Sequence, residues 1–179
     1  MLEYDLLELA YMFRNVKVRV LRSINIPSTI SRSPIVRGSE VTIPLWLALI
    51  LEKSGYVEIP ERIVAPSEIS KNRFLQMQNR GQPVKLDDYF YSKARFSVEE
   101  LEAQAKQQGD IVTMNTVEKM KSDVFDLFKA RLDIMFKAIR LGGASSIDRS
   151  LTVEEKVLVQ NIDAVVRDWM RKFIPFVHI

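Results

Sequence analysis

Cysteine is absent from this chain, which removes disulfides, thiolate zinc ligands and cysteine nucleophiles together. Histidine occurs once, as His178 beside the C-terminus. A general base or metal ligand needs partners that fix its tautomer and orientation, and a chain end supplies few. Glycine is sparse, with 6 in 179 residues. Its one cluster, Gly142-Gly143-Ala144-Ser145-Ser146, lacks the lysine, the spacing and the preceding strand of a phosphate-binding loop, so it reads as a helix-ending loop. The longest apolar run, Leu45 to Leu51, is far too short to span a bilayer. Neither sign of charge dominates: 26 basic and 23 acidic side chains leave +3. That is too balanced for affinity built mainly on phosphate neutralisation.

The acidic pairs Asp87-Asp88, Glu99-Glu100 and Glu154-Glu155 each fall at an expected helix start. There a carboxylate meets the positive end of the helix dipole. Acid/base catalysis would instead need two carboxylates converging in one pocket. No His/Asp/Glu cluster has metal-ligand spacing either. The sequence therefore predicts no catalytic, metal or cofactor-binding residues, and a protein that is not an enzyme.

What is present is a hydrophobic fraction of 47%, ample for a core. The length suits one domain, or one small and one medium domain. The opening Met1-Leu2-Glu3-Tyr4-Asp5 is acidic and lacks the basic segment and apolar run of a signal peptide, so a soluble, cytoplasmic protein is expected.

Periodicity divides the chain. Leu2, Leu6, Leu9 and Phe13 recur at helical spacing, predicting a short amphipathic helix or docked arm. From Arg14 the period becomes two, with Val16, Val18 and Val20 alternating with Lys17 and Arg19, as in a half-buried strand. Ile26 to Ser33 reads as a loop. Arg37 to Glu40 supplies a turn around Gly38, and Val41 to Ile43 a β-branched strand. Pro44 then suits the first helical position, opening an apolar helix that holds Trp46 in the core and ends near Gly55. Tyr56 to Ile59 predicts a closing strand, and Pro60 and Pro66 bracket a boundary.

Beyond Pro66 helices dominate. One runs to Gln78, and a second region extends from about Leu86 to Gln108, with a break near Phe96-Ser97 and a Ser97/Glu100 capping box. A long helix from about Thr113 to Leu141 carries two apolar stripes, Val117/Met120/Val124/Leu127 and Phe125/Phe128/Leu132/Met135/Phe136/Ile139. The last helix opens at Thr152 with a capping box to Glu155 and ends before Pro175. The fold class predicted is α+β, mainly α: a small β-rich unit with its N-terminal helix or arm over 1–62, then an α-helical assembly domain over 66–179.

The stretch Gly38-Ser39-Glu40-Val41-Thr42-Ile43-Pro44-Leu45-Trp46-Leu47-Ala48 resembles a motif of the GINS proteins, accessory subunits of the archaeal and eukaryotic replicative helicase. In the subunit class whose small β-domain comes first, a glycine turn, a short β run and Pro-Leu-Trp-Leu-Ala introduce the β-domain helix. Gly38, Pro44, Leu45, Trp46, Leu47 and Ala48 carry that likeness, while Ser33 stands where the motif often opens on glycine. Leu151 to Lys156, opening the last helix, is a weaker match. The resemblance implies a non-catalytic archaeal scaffold in DNA replication. It implies a 2:2 heterotetramer with the second class of GINS subunit, joined to the MCM helicase and a RecJ-like partner, and nucleoid association.

Two surfaces are candidates for contact. Phe125, Phe128, Leu132, Phe136, Trp169 and Phe173 form either plain bundle core or a subunit interface, since interface centres favour aromatic side chains. Lys17, Arg19, Arg22, Arg32 and Arg37 are five of the eight basic side chains in residues 14–65, against four acidic ones. They offer a weak DNA contact, and with it the alternative of a nucleic-acid-binding regulatory protein; a solvated strand face is the plainer account.

Overall fold

A computed structural model describes residues 2–23, 36–60, 62–142 and 144–176. The loop expected over Ile26–Ser33, with Arg32, and His178 lie outside the described residues. The chain is mainly helical with a small three-stranded antiparallel sheet, and it falls into two compact units, Met1–Arg62 and Ile63–Ile179.

The first unit runs α1 (Leu2–Phe13), β1 (Asn15–Val20), β2 (Glu40–Pro44), α2 (Leu45–Lys53) and β3 (Val57–Glu58). The strand order is β2-β1-β3. Pairing of Val18 with Val41 and of Val16 with Ile43 sets the register. Strand alternation sends Val18 and Val20 inward and leaves Lys17 and Arg19 exposed. The turn into β2 needs a left-handed residue, and Gly38 supplies it at φ +86° while its N–H donates to the Val20 carbonyl at 2.8 Å. Val18, Val20, Ile43, Leu45, Ala48, Val57 and Ile59 form the interior, together with Tyr11 from α1.

Two expectations change here. Pro44 is the residue before the helix rather than its first turn, because it completes the β2 register opposite Asn15 with extended ψ 142°. Trp46 is half-buried and not a core residue. Leu45 and Ala48 take the inward face of α2, and the indole one residue on from Leu45 turns aside to meet the Phe13 ring at 6.4 Å. Its N–H is shielded from solvent without a hydrogen-bond partner among the described residues.

The second unit runs α3 (Pro66–Gln78), α4 (Phe90–Gln108), α5 (Ile111–Arg140), the short α6 (Ala144–Ile147), a 3-10 turn (Asp148–Ser150) and α7 (Val153–Phe173). At 30 residues α5 is about 45 Å long and serves as the spine. Towards its start and middle it packs Met120 and Leu127 with Val64, Ile69, Leu86, Phe90 and Ala94. Its second half packs Met135, Ala138 and Ile139 with Ile147, Leu151 and Val159. Asp110 caps α5 by accepting the N–H groups of Val112 and Thr113 at 3.0 and 3.1 Å.

The expected break in α4 is absent. Ser97 lies inside a continuous helix, buried, donating to the Lys93 carbonyl at 2.8 Å and accepting the Val64 N–H at 2.9 Å. A serine so satisfied does not interrupt a helix. It forms no capping box, and Glu99-Glu100 sits in mid-helix. The helix starts at Phe90, after a left-handed Tyr89 at φ 58°, rather than near Leu86.

Candidate protein–protein interface

A buried polar node fixes the start of α7. Arg131, on α5, is fully buried, and all five of its N–H donors are used. Nε reaches Glu155 Oε1 and Nη2 reaches Glu155 Oε2, both at 2.6 Å. Nη1 donates to Gln76 Oε1 at 3.0 Å and the Val84 carbonyl at 2.6 Å, and Nη2 also to the Ser150 carbonyl at 3.0 Å. Glu155 in addition accepts the Tyr91 hydroxyl at 2.7 Å and the Thr152 N–H at 3.0 Å, closing the capping box with Thr152. The node thus joins α3, α4, α5 and α7.

Its charges are held in place by its geometry. Burial works against a charged Arg131, but hydrogen bonding and attraction from Glu155 raise its pKa above the ordinary guanidinium range. Burial first, then the Glu155 carboxylate, pushes the Tyr91 phenol far above its usual range, so it stays a neutral donor.

From this anchor α7 buries only its first half. Leu158, Val159 and Ile162 pack against the α5 cluster. Beyond them the helix carries Val165 and Trp169 outward, 69% and 57% exposed, and then Phe173 at 56%. Trp169 and Phe173 rings lie 5.2 Å apart. Between this half of α7 and the end of α5 runs a groove of about 430 Å³, lined by Phe136, Ile139, Arg140, Ile162, Val166 and Met170 among others. Ile162, Val166, Trp169 and Phe173 are spaced four, three and four, the seam of a coiled coil.

The six candidate interface residues therefore divide. Phe136, Trp169 and Phe173 are exposed on the α5/α7 end. Leu132 is half-buried against the second cluster, and Phe128 is half-buried edge-on to Tyr91 at 6.0 Å. Phe125 is exposed but stands about 16 Å back along α5, under the Lys129 ammonium at 4.6 Å. Of the motif residues, Leu45 and Ala48 are buried and Leu47 is half-buried like Trp46.

The basic face is interrupted by acids. Lys17, Arg19, Arg22 and Arg37 are exposed, yet Arg19 pairs with Glu58 at 3.3 Å and faces Glu40 in the ladder. No helix among the described residues is long and apolar enough to cross a membrane.

Arg131, Gln76 and Tyr91 carry no motif and were not singled out by sequence. One signal was available: Arg131 sits four residues from both Leu127 and Met135, inside a buried stripe where a charge demands a partner. No protein-family model and no curated protein sequence matches the chain.

Proposed function

We propose that this chain is a non-catalytic assembly subunit of GINS type, archaeal, which supports the MCM replicative helicase through protein contacts. The observation that carries the reading is the uncovered apolar end of α5 and α7. Phe136 of α5 and Val166 of α7 line a groove there, and Trp169 and Phe173 stand exposed on the same half of α7, whose other end is locked by the Arg131–Glu155 node. A rigid helix offering aromatic anchors beside a groove suits a second helical protein. The Gly38 to Ala48 motif supports the particular partner: the second class of GINS subunit, in a 2:2 heterotetramer that joins MCM and a RecJ-like protein. Such a scaffold acts by stabilising one arrangement of the motor and leaves ATP chemistry to MCM. The first unit serves as a docking module.

The rival reading, a nucleic-acid regulator, draws on the exposed basic side chains of β1, but the Arg19–Glu58 pair and Glu40 offset much of their field. Tagged protein purified from its own cells tests both. The scaffold reading expects the other GINS class in equal amount, retained at moderate salt. Recovery of the chain with DNA alone, lost steeply as salt rises, would contradict it.

A further inference from the structure

The first helix has two apolar faces, and only one is covered. Tyr11 is buried, with the Arg14 guanidinium 4.5 Å over its ring, and α1 packs against α2. Leu6, Leu9 and Phe13 lie on the side roughly opposite Tyr11, given about 100° per residue. They are 54%, 54% and 64% exposed. Isolated surface leucines are ordinary, but these three are aligned at spacings of three and four, the a/d spacing of a coiled-coil seam. Phe13 continues the stripe towards Trp46.

Charge identifies the occupant. Glu3 and Asp5, both exposed, flank the stripe on either side, in the positions that select a partner's charge in a coiled coil. Residues 2–13 contain no Lys or Arg, and among the described residues no basic side chain pairs with Glu3 or Asp5. The same helix from a second copy would bring acid against acid, and an anionic lipid surface would be repelled. We infer that the outward stripe of α1 is a docking seam for an amphipathic helix of another protein, with apolar anchors at heptad spacing flanked by Lys or Arg.

This gives the docking role proposed for the first unit a surface and an occupant. Its test needs only this chain and synthetic helices, so it stands or falls separately from the tetramer. Two labelled peptides of about three heptads carry Leu at every a and d position, one with Lys and one with Glu at e and g. Titrated with the full-length chain and followed by fluorescence anisotropy, the Lys peptide should bind and the Glu peptide should not. Leu6→Ser/Leu9→Ser should weaken binding at least about tenfold with the thermal midpoint preserved. Glu3→Lys/Asp5→Lys should transfer preference to the Glu peptide. Failure of both peptides to bind, or binding indifferent to the charge reversal, would overturn the inference. A dimer of the free chain that Leu6→Ser/Leu9→Ser dissolves would overturn it in favour of a second copy.

Discussion

Replacing Arg131 by Met tests whether the buried node organises the second unit. The substitution keeps most of the side-chain volume but removes five donors at once. Glu155 would retain the Tyr91 hydroxyl and the Thr152 N–H, yet its carboxylate would be left buried without a countercharge. The Val84 and Ser150 carbonyls would lose a donor as well. Breaking one side of a buried pair costs about 3–5 kcal/mol, against about 5–15 kcal/mol for a whole domain. In urea, followed by far-UV circular dichroism, that corresponds to a midpoint lower by about 2 M for an m-value near 2 kcal/mol/M. Glu155→Leu should cost a similar amount, because it strands the guanidinium. Arg131→Met/Glu155→Leu should then be less destabilised than the two single changes added, by about 2–3 kcal/mol. An Arg131→Met protein within about 1 kcal/mol of the parent, or a strictly additive cycle, would refute the reasoning.

Three further outcomes are expected. Ser97→Ala leaves the buried Val64 N–H without its acceptor and should lower stability by about 1–3 kcal/mol, read from the denaturation midpoint of the second unit. Trp46→Ala should cost the first unit about 1–2 kcal/mol, below the 3–5 kcal/mol typical of a core aromatic, because the ring is half-buried; hydrogen exchange of the β1 amides would measure it. Bonds from the Thr113 hydroxyl and N–H and the Val112 N–H hold the Asp110 carboxyl below its ordinary pKa. Its contribution is therefore full above the unfolded value and lost as pH falls through the folded one, so the melting difference between parent and Asp110→Ala should shrink on acidification.

Much of the fold was legible because local chemistry and tertiary context agree. The alternation around Val18, the turn at Gly38, the cap at Thr152 and the stop at Gly142 each act within a few residues. What failed depended on distant partners. Ser97 looks like a helix start until the Val64 N–H is seen to need its hydroxyl. Glu155 was legible as a cap, but its second role depends on Arg131, 24 residues earlier in the chain. The candidate surface was half legible. Periodicity picked out the aromatic stripe of α5 and α7, but could not say that Phe128 and Leu132 turn partly inward while Trp169 and Phe173 stay outside. The same limit holds for α1, where periodicity showed an amphipathic helix or docked arm but could not say that Leu6, Leu9 and Phe13 stay exposed.

The most direct test of the account is the mass of the complex formed in the source cells by the parent chain and by Trp169→Glu/Phe173→Glu. Both side chains are more than half exposed, so this change should leave the unfolding free energy within about 0.5 kcal/mol of the parent. The parent should be recovered in a multi-subunit assembly, and the variant, equally folded, should be recovered alone. A variant that keeps the whole assembly would contradict the claim that the end of α7 is where this chain joins its partner.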